Sequence, residues 1–191
     1  MPLLRMRDAT FSRDALGAGP VTLDLERGER AALRFASPQE ASIVALLATG
    51  IVKASSGCVL IGDYDPRVQS VACKRIAALV PHEPFPLDDR EFERYVEYRA
   101  ELWNLAPQRA HAHAALLRQR LASMHEALAY PLIGALLGMP QLIVLDRPEA
   151  AYAQQILAAV GRRALLSVHT DAAAARAFAP SALGGLRRPG A

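Results

Sequence analysis

Apolar and polar positions change their spacing several times along the chain. LLRMRD (3–8) and VTLDLE (21–26) alternate, the pattern of half-buried strands, and ALGAGP between them reads as a Gly/Pro turn. GER (28–30) turns into a third alternating run, AALRF (31–35), which ends abruptly in the small and polar stretch ASPQEAS. A helical pattern, SIVALLATGIV (42–52), follows, then KASSG and a strand, CVLIGD (58–63). RIAALVP (75–81) reads as a short buried strand and HEPFPLDD (82–89) as a proline-rich loop. Two helical stretches come next, REFERYVEYRAELW and one from Gln108 to Ala129, and LIGALLG (132–138) is apolar and helical. PQLIVLD (140–146) is a continuous apolar run of the parallel-sheet kind. AYAQQILAAVGR gives a short helix, ALLSVH (164–169) a last buried strand and DAAAARAF a closing helix, while LGGLRRPGA reads as a frayed end. Strands separated by helices predict an α/β fold. Its sheet is mostly parallel, with an N-terminal antiparallel part and a small helical subdomain. The core is expected over 1–87 and 131–191 and the helical subdomain over 88–130. In such a sheet, function sits at the C-terminal ends of the strands.

Composition narrows the classes. The 191 residues suffice for one domain with a real core, and no apolar run approaches the roughly 18 residues of a membrane span. The apolar part of MPLLRMRDATF is too short for a secretory signal. A net charge of +3 is mild, and the arginines are dispersed, so nucleic acid is not an expected partner. Cys58 and Cys73 lack metal-ligand spacing and suit a reducing compartment, with a disulfide left open. His111 and His113 lie two apart on a helix, face different ways and make poor joint ligands.

The series of strand ends resembles the ATP-binding subunit of ABC transporters, in order and over almost the whole chain. GERAAL, its loop and helix, KASSG and CVLIGD are similar to that family's Walker A strand, loop, helix and "SG-x-V-x-I-x-G" strand. RIAALVPHEP resembles the Q-loop segment, ALLGMPQLIVLDRP the Walker B region and ALLSVHTD the H-loop strand. The resemblance implies a P-loop NTPase-like core. It also implies a cytoplasmic protein held at the inner face of the membrane by a polytopic membrane subunit, with a separate intact ATPase subunit as a possible further partner.

The departures follow the chemistry. A Walker A loop wraps phosphates with consecutive backbone N–H groups, permitted by glycines, and neutralises them with a lysine. Here Phe35, Pro38 and Glu40 stand at glycine positions and Ala41 at the lysine, leaving Ser42 as the hydroxyl that would hold Mg²⁺. Phe35 adds bulk and Pro38 removes a donor. At about 4 Å and an effective dielectric near 20, Glu40 would repel a phosphate by roughly 4 kcal/mol. Asp146 matches the metal-side aspartate, but Arg147 replaces the glutamate that serves as general base and cannot take a proton. His82 replaces the Q-loop glutamine, and His169 matches the switch histidine. The "LSGGQ" signature corresponds to ASMHE (122–126), where Met124 and His125 are expected to block close backbone approach. Arg13 stands at the adenine-stacking position, and EAAYAQ replaces the "SGLD" D-loop.

Each surviving residue has a plainer reading. Asp146 and Arg147 make a structural ion pair as readily as a metal-site remnant. His169 reads as a buried, hydrogen-bonded histidine or a switch, and Ser42 as a helix N-cap or a metal ligand. Phe92, Tyr95, Val96 and Trp103 are expected to pack inward; Tyr98 and Trp103 alternatively face a partner. The sequence thus predicts a subunit without catalytic residues or a cofactor, structural or regulatory in a transport complex. Its partner groove would be lined by Phe85 and Leu87. Two alternatives stay open. One is a working ATPase, binding ATP and Mg²⁺ with Arg147 and Arg34 on phosphate. The other is a soluble regulator with no membrane partner.

Overall fold

The computed structural model describes residues 1–178. Three strands, β1 (Leu4–Arg13), β2 (Leu16–Leu25) and β4 (Ser56–Ile61), form an antiparallel sheet in the order β2-β1-β4. Four more, β3 (Arg30–Arg34), β5 (Ala77–Val80), β6 (Leu142–Asp146) and β7 (Ala164–His169), form a parallel sheet in the order β3-β7-β6-β5. The seven α-helices among the described residues are α1 (Pro38–Ala48), α2 (Ser70–Ile76), α3 (Asp89–Leu102), α4 (Pro107–Arg120), α5 (Glu126–Leu137), α6 (Ala153–Val160) and α7 (Ala172–Phe178), with a short 3-10 helix at Ala150–Tyr152. The fold is α/β with a parallel and an antiparallel sheet, as the pattern of runs implied.

The parallel strands read as unbroken apolar runs because both faces are covered. Leu142 and Val144 of β6, with Ala164, Leu166 and Val168 of β7, join a cluster with α1 and the antiparallel sheet. Ile143, Leu145 and Leu165 point the other way, into a cluster with α3, α4, α5 and α6. Side chains alternate along a strand, so a two-sided sheet needs every position apolar. The helices α3 and α4 have no separate core: Phe92, Val96, Ala114 and Leu117 share their cluster with Ile143 and Leu145.

Several boundaries differ from expectation. ALGAGP is not a turn. Arg13 pairs with Leu16, so the reversal is Asp14–Ala15, and the glycines lie inside β2. Gly19 is needed there because its φ is 96° and a Cβ would stand 2.4 Å from the Ala9 carbonyl oxygen. The segment RIAALVP is part helix, since α2 runs through Ile76. That helix buries only Cys73 and so carries no apolar periodicity. The stretch 108–129 is two helices, broken at residues 121–125. Both cysteines are free thiols. The expected fraying of LGGLRRPGA lies outside the described residues. No helix among those residues is long and apolar enough to cross a membrane.

Candidate functional site

Parallel pairing brings three strand ends together. Arg34 lies opposite His169, and Asp146 opposite Val168, so β3, β6 and β7 finish on one rim. The three residues Phe35, Ala36 and Ser37 then lead into α1, whose first turn sits over that rim.

The loop is organised around a helix start. Ser37 is the N-cap, its Oγ accepting from the Glu40 N–H at 3.1 Å, and its carbonyl accepts from the Ala41 N–H at 3.2 Å. Pro38 opens the helix, where its missing N–H costs nothing and its fixed φ suits the turn. Pro38 therefore starts a helix rather than spoiling a loop. The Phe35 N–H donates to the His169 carbonyl at 2.8 Å, and the Phe35 side chain is buried in the core. The donors of Phe35, Glu40 and Ala41, which a phosphate cradle would turn outward, are thus paired within the chain. Ala41 is completely buried.

Ser42 is not the N-cap. One turn further into α1, its Oγ donates to Asp146 Oδ2 at 2.6 Å. Arg147 closes the group. Its Nε donates to Asp146 Oδ1 at 3.0 Å and its Nη2 to Ser42 Oγ at 3.1 Å. Hydroxyl, carboxylate and guanidinium form a closed, internally neutral ring in which each Asp146 oxygen has a donor. The side chains of Asp146 and Arg147 are only 10% and 22% exposed. Arg147 holds the left-handed region at φ 47°, uncommon for a residue with a Cβ. Its N–H donates to the Val168 carbonyl at 2.9 Å, and its carbonyl lies 3.1 Å from His82 Nδ1. A carbonyl only accepts, so this bond requires the proton on Nδ1. Glu40 takes no part in the ring.

His169 ends β7 only 1% exposed, against Phe178 with ring centroids 5.4 Å apart. It is not the hydrogen-bonded histidine expected, because its Nε2 has no partner among the described residues. Burial pushes its pKa down to about 4, the opposing charge of Asp171 notwithstanding, so the ring is neutral near pH 7.

The remaining candidates scatter. Met124 turns into the helical cluster and is 6% exposed. His125 is the exposed N-cap of α5, accepting from the Ala127 N–H at 3.3 Å, and Ser123 Oγ accepts from Gln155 Nε2 at 3.3 Å. Arg13 is exposed and lies 3.9 Å from Asp14. Phe85 and Leu87 part company. Leu87 packs onto the helical cluster and does not line an open groove. Phe85 stays 41% exposed, edge-on to Tyr95 at 5.2 Å, with its N–H donating to the Ala127 carbonyl at 2.7 Å. Tyr98 and Leu102 of α3 are exposed as well. Phe92 and Val96 are buried as expected, whereas Tyr95 and Trp103 are only partly so.

Sequence reasoning missed a narrow apolar cleft of about 40 Å³ lined by His82, Arg147, Glu149, Met124, Leu128, Leu132, Tyr152 and Ile156. Nothing in the sequence signals it, since its walls come from four separate segments. It also missed the seat of α3 on α5. A Cβ at Gly134 would meet the Tyr95 hydroxyl at 2.1 Å, and one at Gly138 the Trp103 ring at 2.1 Å. Two glycines four apart on a helix were the available signal.

No protein-family model matches the chain, and no curated protein matches it. Solved structures do. An ATP-binding subunit of an ABC transporter superposes with a TM-score of 0.72 at 20% identity, over 92% of this chain and 83% of that one. The dimeric ATP-binding cassette MJ0796 in a post-hydrolysis state with ADP and Pi gives 0.68 at 16%, over 92% and 91%. CbiO1 from Clostridium perfringens, part of the ABC transporter complex cbiONQ, gives 0.67 at 15%, over 89% and 79%. With its two sheets, its strand ends gathered around the start of α1 and these likenesses, the chain has the fold of the ATP-binding subunits of ABC transporters.

Proposed function

We propose that this chain is a non-hydrolysing subunit of a membrane transport complex, kept for its surface and not for turnover. The observation that carries the reading is the ring of Ser42, Asp146 and Arg147. In this fold Ser42 and Asp146 are the groups that would face a magnesium ion. Here they bond to each other and to a cation already in the chain. Mg-ATP does not fit such a site: the ring would have to open, the paired loop amides would have to be released, and Glu40 would remain beside the phosphates. No residue stands ready as general base, since Arg147 has no proton-accepting form near neutral pH.

The partner in this reading is a polytopic membrane subunit, which holds the chain at the inner face of the membrane. Phe85, Tyr98 and Leu102 supply the exposed apolar contact, on the loop before α3 and on α3 itself. The helices of 88–130 serve as a subdomain that carries this surface, although they share their core with the parallel sheet.

Titration calorimetry with Mg-ATP tests the central claim. Binding is expected to be absent or no tighter than millimolar; a micromolar dissociation constant overturns the reading and favours the working ATPase. In a reconstituted complex, Ala41→Lys with Arg147→Glu is expected to give no gain in transport, while Phe85→Ala loses assembly.

A further inference from the structure

At the end of the parallel sheet opposite Asp146, the residues that precede three strands come together. Arg27 and Gly28 stand before β3, Pro140 and Gln141 before β6, and Arg162 and Arg163 before β7; with Met139 they line an open groove of about 450 Å³. The turns are tied by main-chain bonds. The Leu165 N–H donates to the Glu29 carbonyl at 2.9 Å, and the Ala164 N–H to the Gln141 carbonyl at 3.0 Å. Gly28, at φ 75°, is close enough that a Cβ would lie 3.3 Å from the Arg162 carbonyl oxygen. Two arginine-bearing turns are therefore held side by side.

None of Arg27, Arg162 and Arg163 is in an ion pair among the described residues. Their partners are neutral: Arg27 donates to Gln141 Oε1, and Arg163 Nη1 to the Val160 carbonyl at 3.0 Å. These bonds orient guanidinium groups without neutralising them. Of the two acids nearest along the chain, Glu26 has its carboxylate 3.5 Å from the N-terminal ammonium, and Glu29 uses a carboxylate oxygen on the Glu26 N–H at 2.8 Å. The positive field reaches α4, where His113 has its pKa lowered by burial first and then by Arg163 and Arg120.

We propose that this groove binds a small soluble anion bearing two or more phosphoryl groups. Guanidinium forks match phosphate oxygens in pairs, and three uncompensated charges favour a multiply charged anion over a single phosphate. The volume exceeds one phosphate group, and the exposed Met139 offers a shelf to an organic portion of the ligand. The groove lies at the far end of the strands from Ser42 and Arg147 and is independent of the role proposed for them.

The experiment is calorimetric titration of the intact chain with inorganic pyrophosphate at low ionic strength. Binding is expected, weakening as salt is raised. Arg27→Gln with Arg162→Gln should weaken it by at least about tenfold, and Arg147→Gln should leave it unchanged. Both substituted arginines are exposed, so the fold survives the change. Absence of heat from the unsubstituted chain, equal binding by the double variant, or loss in Arg147→Gln alone overturns the proposal. Co-sedimentation with vesicles of phosphatidic acid in phosphatidylcholine tells a lipid headgroup from a soluble anion. Capture by vesicles without pyrophosphate binding also overturns it.

Discussion

At Asp146 two donors meet one nearly buried carboxylate, and the energetic question is what each contributes. Arg147 is itself only partly exposed, so screening is weaker than for a surface pair. A double-mutant cycle of Asp146→Asn and Arg147→Gln, read by urea unfolding, is expected to give a coupling of about 1–2 kcal/mol. His169 makes a second prediction. Its folded pKa of about 4 is below the unfolded value, so the unfolded chain takes up the proton first. The stability contribution is whole above about pH 6.5 and is lost as pH falls from there to about 4, up to about 3 kcal/mol in all. Replacing His169 by Phe should flatten the stability–pH curve in that window; an unchanged slope would show that another group titrates there. Asp171, lowered by the α7 backbone amides it accepts from, adds its own loss below that range.

Among elements, α3 is seated on α5 by two absent side chains. Gly134 admits Tyr95, and Gly138 admits Trp103, and the Arg99 Nε also donates to the Gly134 carbonyl at 3.0 Å. Gly138→Ala is expected to destabilise by about 1–3 kcal/mol through overpacking, with partial recovery when Trp103→Leu is added. Thermal unfolding of the two variants checks both signs. Strands β6 and β7 were legible because burial on both faces leaves an apolar run that periodicity cannot mistake for a surface element. Helix α2 was not, since one buried residue in seven gives no period. The cap at Ser37 was read as part of a phosphate loop because Ser-Pro-x-Glu suits either a helix start or a decayed cradle. Only the pairing of the Glu40 and Ala41 amides decides between them.

For the whole molecule, α1 is the piece that joins the two sheets. Its buried residues Ile43, Val44, Leu47 and Ala48 belong to the cluster that includes Leu4 and Met6 of the antiparallel sheet and Leu166 and Val168 of the parallel one. The order of strand ends along the chain was enough to read this architecture. The chemistry at those ends was legible only as substitutions; that Arg147 turns back onto Ser42 depends on a positive φ that the residue's identity does not announce. Static light scattering with and without Mg-ATP is expected to show one unchanged mass. A nucleotide-dependent doubling would mean that the loop opens after all.

The guanidinium in the ring with Ser42 and Asp146 has a consequence for coupling. A free ligand biases a conformation in proportion to its concentration and its preference between states. Arg147 has no concentration to vary. Ser42, in the second turn of α1, is tied to the end of β6 by a tethered cation that is never released and never exchanged. In the non-hydrolysing role proposed above, its geometry is insulated from the energy charge of the cell. Whatever α1 and the rim of the parallel sheet present to a neighbour, they present continuously, as a clamp and not as a clock.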